Sequence, residues 1–263
     1  MAPPESTFVD TPEAISSLLS FIPREPNSSP SIYIDLEGVD LCRDGSISIL
    51  QLFVSTIPHI YIIDIFTLGN AAFTTPCSTD PSVTLKSILE DPTIPVVFYD
   101  IRSDNDALYH HFSIATANVV DLQLYELATR TGSNLRYLHG LSKAILANAN
   151  LSIIEAMKMD EVKKKGLQLF APEQGGSYEI FNRRPLPQDL VDYCVQDVQY
   201  LPVLLRRFTQ ELGSMDRRWM VLIRRETEAR IALCKKDFFV KGRQNAIAPV
   251  SFQTLRTRGI IVA

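Results

Sequence analysis

Hydrophobic and polar positions along this chain follow two periods. Leu190, Cys194, Val198, Leu201, Leu205 and Phe208 recur at steps of three or four, which marks a helix with one buried stripe. The spacing predicts a single helix over residues 186–208, with Pro187 in its first turn, where a missing N–H has no intrahelical partner to lose. Earlier segments have the composition of strands. Residues 31–36 read Ser-Ile-Tyr-Ile-Asp-Leu, and residues 46–54 and 59–65 are similarly rich in β-favouring side chains. Short turns at 43–45 and 55–58 separate them, so the three are expected to form an antiparallel meander. Residues 96–99 are wholly apolar, as a central strand is, and residues 118–121 give a fifth strand. Helices are predicted over 11–22, capped by Thr11 with Pro12 behind it, and over 83–89, 103–112, 122–129, 134–147 and most of 215–240. The stretch that holds Lys163-Lys164-Lys165-Gly166 and Glu173-Gln174-Gly175-Gly176-Ser177 reads as weakly structured. Three antiparallel strands followed by alternating helix and strand indicate an α/β fold, a mixed sheet flanked by helices. No repeat of 20–50 residues is present, which excludes a solenoid.

Composition narrows the classes. The chain has 263 residues, 46% of them hydrophobic, enough for one large core. Its four cysteines, Cys42, Cys77, Cys194 and Cys234, are scattered with no zinc spacing, so they are read as reduced thiols of an intracellular protein, nuclear or cytoplasmic. No apolar run approaches the ~20 residues of a membrane span, and the opening residues lack the apolar core of a secretory signal. Net charge is −4 but unevenly spread: residues 206–263 hold 13 Lys/Arg against 5 Asp/Glu, and residues 1–205 hold 13 against 25. An acidic body suits a cation and a basic segment suits phosphate. Residues 1–30 are therefore expected to form an N-terminal extension with a short helix, 31–212 the main domain, and 213–263 a basic, mostly helical arm.

Carboxylates supply the candidate chemistry. Asp35 and Glu37 are two apart on a strand and share a face. Adjacent carboxylates repel, so they require a cation or one of them keeps its proton. Tyr193 and Asp197 are four apart, one turn from each other on one helix face. Between these lies the segment 98–106. Asp100 ends a strand, and Asp104 falls in the first turn of a helix, where a carboxylate is favoured by the free N–H groups. Asp106 is expected to face solvent, because Ala107, Leu108, His111 and Phe112 form the apolar stripe. The residues alone leave Asp100 and Asp104 both open.

Asp35-Leu36-Glu37, the segment with Asp104, and Tyr193-(x3)-Asp197 stand in an order, and on element types, that resemble the DEDDy branch of the 3′–5′ exonucleases, the group with RNase D, the Werner-syndrome exonuclease domain and polymerase proofreading domains. The resemblance covers roughly residues 31–208. Segments 100–110 and 192–198 look most like Egalitarian-type exonuclease-domain proteins and their fungal relatives, some of which have lost acids and act as RNA-binding adaptors. This chain keeps all four acids and Tyr193, and Asp192 stands where the sister branch carries histidine. The resemblance implies a ribonuclease H-like fold. It selects Asp104 over Asp100, because the second acid lies five residues after the strand end. It implies two Mg²⁺ or Mn²⁺ ions, hard cations that favour oxygen ligands, about 4 Å apart. Asp35 would bridge both, Glu37 and Asp197 would complete one site, Asp104 would hold the other largely through water, and Tyr193 would orient the attacking water. The implied activity releases nucleoside 5′-monophosphates from the 3′ end of a single-stranded nucleic acid, RNA favoured over DNA. Leu36 and Asn105 are candidate contacts to the last base by position only, and the basic arm would track phosphates upstream. The alternative is a nuclease fold that holds RNA or a protein partner without cutting; the intact acids favour cleavage. Trp219, Phe238 and Phe239 are read as core packing ahead of base stacking, and Lys163-Lys164-Lys165 as a solvated loop.

Overall fold

A computed structural model describes residues 4–26, 29–132, 135–237 and 246–260, with the side chains of 258–260 left aside. Six strands, β1 (Glu5–Val9), β2 (Ile32–Glu37), β3 (Ile49–Val54), β4 (His59–Asp64), β5 (Val96–Phe98) and β6 (Val119–Asp121), form one sheet in the order β1-β4-β3-β2-β5-β6. β2, β3 and β4 pair antiparallel, as the meander predicts, and β5 and β6 add in parallel beside β2. β1 was not legible in the sequence. It pairs in parallel with β4 at the far edge. Residues assigned to an N-terminal extension thus extend the sheet, and Ile15, Leu18 and Leu19 of helix α1 (Pro12–Leu19) are buried in its core.

The remaining helices are α2 (Ile65–Leu68), α3 (Ala71–Thr74), α4 (Leu85–Leu89), α5 (Arg102–Phe112), α6 (Leu122–Thr129), α7 (Leu141–Asn148), α8 (Ile153–Phe170), α9 (Gln188–Gln199), α10 (Leu201–Gly213), α11 (Arg218–Ile231) and α12 (Val250–Ile260). Strand alternation divides β2 between two cores. Ile32, Ile34 and Leu36 face the cluster that α1 and α4 cover, whereas Tyr33 faces the cluster built on α9 and α10.

Some helical expectations are corrected. The predicted helix 186–208 is two helices, α9 and α10, broken at Tyr200; Pro202 cannot donate to a continuing ladder and sits in the first turn of α10. Pro187 is the residue just outside α9. The Lys163–Lys165 stretch lies inside the long helix α8, whose Ser152 and Glu155 form a capping box. Its apolar stripe is hidden from periodicity because Ile153, Ile154 and Met157 are exposed. The basic segment is packed on the body: Trp219, Leu222, Ile223 and Phe252 join Leu124 and Leu127 of α6 in a third core cluster. Trp219 packs against Phe252 at 5.8 Å, in line with core packing. Phe238, Phe239 and Asn134 fall outside the described residues; the helix predicted from 134 starts only at Leu141, behind Gly140. No described helix is long and apolar enough to cross a membrane.

Candidate active site

Asp35 and Glu37 occupy the end of β2, in the middle of the sheet, on the face covered by α9. The chain turns immediately afterwards. Gly38 is needed there, since a Cβ would lie 2.0 Å from the Ser46 carbonyl oxygen. Leu190, Cys194 and Val198 bury one stripe of α9 against β2, β3 and β4. That docking brings Tyr193 and Asp197 over the strand end. Carboxylate oxygens of Asp35, Glu37 and Asp197 all lie within 4.8 Å of one another. Asp104, in the first turn of α5 and buried, adds its charge to the group: it raises the Glu37 pKa and is itself raised by Asp35.

Burial is the largest cause of every shift in the cluster. Asp35 is pushed well above the usual carboxylate range by burial and then by Asp197. Glu37 is pushed up by burial and by Asp35, Asp197 and Asp104, with a hydrogen bond from Tyr193 opposing. Asp197 rises to about 7 through burial, opposed by the Tyr193 hydrogen bond and by Lys163. Burial and the acids beside it lift Tyr193 well above the ordinary phenol value, so it keeps its proton and donates. Asp35, Glu37 and Asp104, each pushed up by a neighbouring acid, and Asp197 beside them offer oxygen donors only, which fits a hard divalent cation.

The Tyr193 ring is held from behind. Phe170 meets it edge-on at 5.1 Å. Gly166 of α8 lies so close that a Cβ there would sit 2.7 Å from a ring carbon. Lys163, one turn earlier on α8, donates to Ser142 Oγ at 2.7 Å and lowers the Asp197 pKa from there. Neither residue is marked as functional by the sequence, because the contact runs between helices with no fixed spacing.

The rival acids have other roles. Asp100 has φ +67° and pairs with Arg102 through two contacts of 2.5 Å. Asp121 accepts the Asp100 N–H at 3.0 Å and Arg230 at 2.6 Å. Asp106, expected to face solvent, is fully buried and grips Arg43, accepting from its backbone N–H at 2.7 Å and from Nη2 at 2.7 Å. The partner is 63 residues away in sequence, which local periodicity does not reveal. The two positional candidates for base contact are also corrected. Leu36 is 2% exposed and turned into the core opposite the acids. Asn105 is 1% exposed, donates to the Ile231 carbonyl at 2.9 Å and accepts from Thr116 at 2.6 Å.

The profile of a family described as 3′-5′ exonuclease matches residues 8–213, starting inside β1. Among curated proteins, piRNA biogenesis protein EXD1 of Mus musculus is 29% identical over 169 residues, 63% of this chain and 26% of that protein. The Homo sapiens protein of the same name is 37% identical over 178 residues, 68% of this chain and 32% of that protein. The chain therefore matches no more than about a third of the length of these relatives. Among solved structures, Trypanosoma brucei RNase D in complex with GMP superposes with a TM-score of 0.70 at 19% identity, covering 95% of this chain and 71% of that one. The likeness is one of fold.

Proposed function

The chain belongs to the 3′-5′ exonuclease family, and we propose that it shortens single-stranded RNA from the 3′ end by divalent-metal-dependent hydrolysis. One observation carries the reading: Asp35, Glu37 and Asp197 gather their oxygens within 4.8 Å, with Asp104 adding to the same field. Asp35, Glu37, Asp104 and Asp197 would hold Mg²⁺ or Mn²⁺. Bound there, divalent ions supply positive charge to a phosphodiester as negative charge develops on it.

The chain's own groups do the rest. The Tyr193 hydroxyl, kept protonated by burial and by the acids beside it, is the donor that orients the attacking water. Phe170 and the bare backbone of Gly166 hold its ring in place. Residues up to about 212 form the catalytic domain. In 213–263, Arg217, Arg218, Arg224 and Arg225 are exposed and attract the phosphate backbone. RNA is favoured over DNA on the strength of the relatives, a piRNA biogenesis protein and an RNase D by name.

The test uses matched RNA and DNA single strands, labelled at either end, with Mg²⁺, Mn²⁺ or EDTA. A 3′-5′ exonuclease releases the 3′ label as a mononucleotide at once and shortens 5′-labelled RNA to a ladder, and EDTA stops both. Tight RNA binding without any shortening in either metal would replace this reading with that of an RNA-binding adaptor.

A further inference from the structure

Gln51 is the one polar side chain in β3, Ile49-Leu50-Gln51-Leu52-Phe53-Val54. It is 0% exposed, and neither its Nε2 nor its Oε1 has a hydrogen-bond partner among the described residues. A buried amide with both ends unpaired is rare, because it forfeits its hydrogen bonds to water with nothing in return. Its place in the sheet suggests why it is kept. Gln51 stands directly opposite Asp35 in the antiparallel β2–β3 register. Side chains so paired lie on the same face, with Cβ atoms about 4.5–5.5 Å apart. Ile49 and Phe53, its neighbours on that face, pack under α9. Cys194 of α9 packs on the same side of the sheet, and Gln51 acts on its thiol. The amide therefore lies beneath the acid cluster, walled by strand and helix.

We propose that Gln51 is a positioning residue of the metal site: its Nε2 donates to the Asp35 carboxylate when a divalent cation holds the cluster, fixing the orientation of that ligand. Carboxylate ligands are commonly held by such outer donors, and removing one weakens metal affinity or activity by about 10–100-fold. The proposal rests on the metal-dependent reading above. It gives the buried amide of Gln51 a partner on its own face of the sheet.

Gln51→Met keeps the length and volume of the side chain and removes its polar ends. Two readouts are taken on the full chain: Tm without metal, and Mn²⁺ affinity by titration of the free-ion paramagnetic resonance signal, repeated with Mg²⁺ by calorimetry. The expected result is opposed changes. Tm without metal rises by roughly 2–4 °C, because a buried unpaired amide is gone, while affinity for either ion falls about 10–100-fold. A residue that merely fills space moves the first readout only. Wild-type affinity retained in Gln51→Met overturns the proposal and leaves the exonuclease reading standing. Absence of metal binding by the wild-type chain overturns both. If the Met variant does not fold, Gln51→Leu, shorter by one atom, is read by the same criteria.

Discussion

Two groups of buried and part-buried acids meet at the N-terminus of α5, and they are balanced in opposite ways. Asp100, Asp106 and Asp121 each have an arginine: Arg102 at 2.5 Å, Arg43 at 2.7 Å and Arg230 at 2.6 Å. Asp104 stands between two of them in sequence; burial and the charges of Asp35, Asp100 and Asp121 raise it, and it in turn raises Glu37, which Asp35 and Asp197 also push up. A fold that supplies a guanidinium to three acids has the means to neutralise a fourth. A cluster left to mutual repulsion fits the external cation proposed for it. The lesson is that buried acids differ in function by what faces them, and not by depth or by position along a helix.

The sharpest way to break this comparison is to neutralise one acid from each side. Asp104→Asn, like Asp35→Ala, should reduce metal-dependent cleavage by on the order of 10⁴-fold, as loss of a whole catalytic group does. Metal-free Tm should hold or rise, because a repelling charge is removed. Asp100→Asn should do the reverse. It strips a charge partner from Arg102 and Arg230 and should lower stability by about 1–3 kcal/mol, with cleavage by the folded protein within tenfold of wild type. Calorimetry and single-turnover cleavage on the same preparations test both halves. The opposite pattern would move the site from the helix to the strand end.

Next in size is removal of the compensating charge. Arg230 is 6% exposed and bonds Asp121, Gln123 and Asp100. Arg230→Met leaves Asp121 buried without its counterion, which is expected to destabilise by about 3–5 kcal/mol. Asp121→Asn on top of it should restore part of that loss. Denaturant melts of the two variants decide; equal stabilities would show that Asp121 does not depend on Arg230.

Tyr193→Phe should have a smaller effect. The ring and its contacts with Phe170 remain and the carboxylates are untouched. The loss should fall on kcat, by about 10²-fold, the low end for a positioned water or base, with the Mg²⁺-induced rise in Tm retained. Such a split marks an interaction made in the transition state. A kcat within twofold of wild type would falsify the role given to Tyr193.

Much of this was legible along the chain because it is local. The meander, the same-face pair Asp35 and Glu37, and the one-turn spacing of Tyr193 and Asp197 follow from periods of two and about 3.6. What was hidden depends on partners distant in sequence. β1 is short and exposed along most of its length, and only pairing with β4 makes it a strand. The fate of Asp106 depends on Arg43, and that of Asp121 on Arg230. Gln51 did leave a signal, a single polar residue in an otherwise apolar strand, but its meaning required the register that sets it opposite Asp35. The break between α9 and α10 was also readable, since Pro202 stands at it; the apolar stripe runs through the break and masks it.

The smallest effect is expected on the outer face of α11, the helix whose inner face carries Arg230. Arg217, just before the helix, and Arg218, Arg224 and Arg225 are exposed. Arg218 bonds Asp216 at 2.8 Å and Arg225 bonds Glu226 at 2.9 Å, exposed pairs that contribute little to stability. Replacing all four with Gln should therefore leave Tm almost unchanged, in contrast to the large loss from the single buried arginine of the same helix. If these side chains meet the RNA backbone, the quadruple variant should bind more weakly at low salt, and the slope of log affinity against log salt should fall by about one unit for each phosphate no longer neutralised. Chemistry at saturating RNA should be unaffected, because none of the four belongs to the acid cluster. Fluorescence anisotropy over a salt series, with kcat measured in parallel, separates the outcomes. An unchanged slope would make these arginines an ordinary solvated face and place the nucleic-acid contacts elsewhere. A lower kcat with an unchanged slope would mean that α11 acts through its inner face, by way of Arg230 and the turn that presents Asp104.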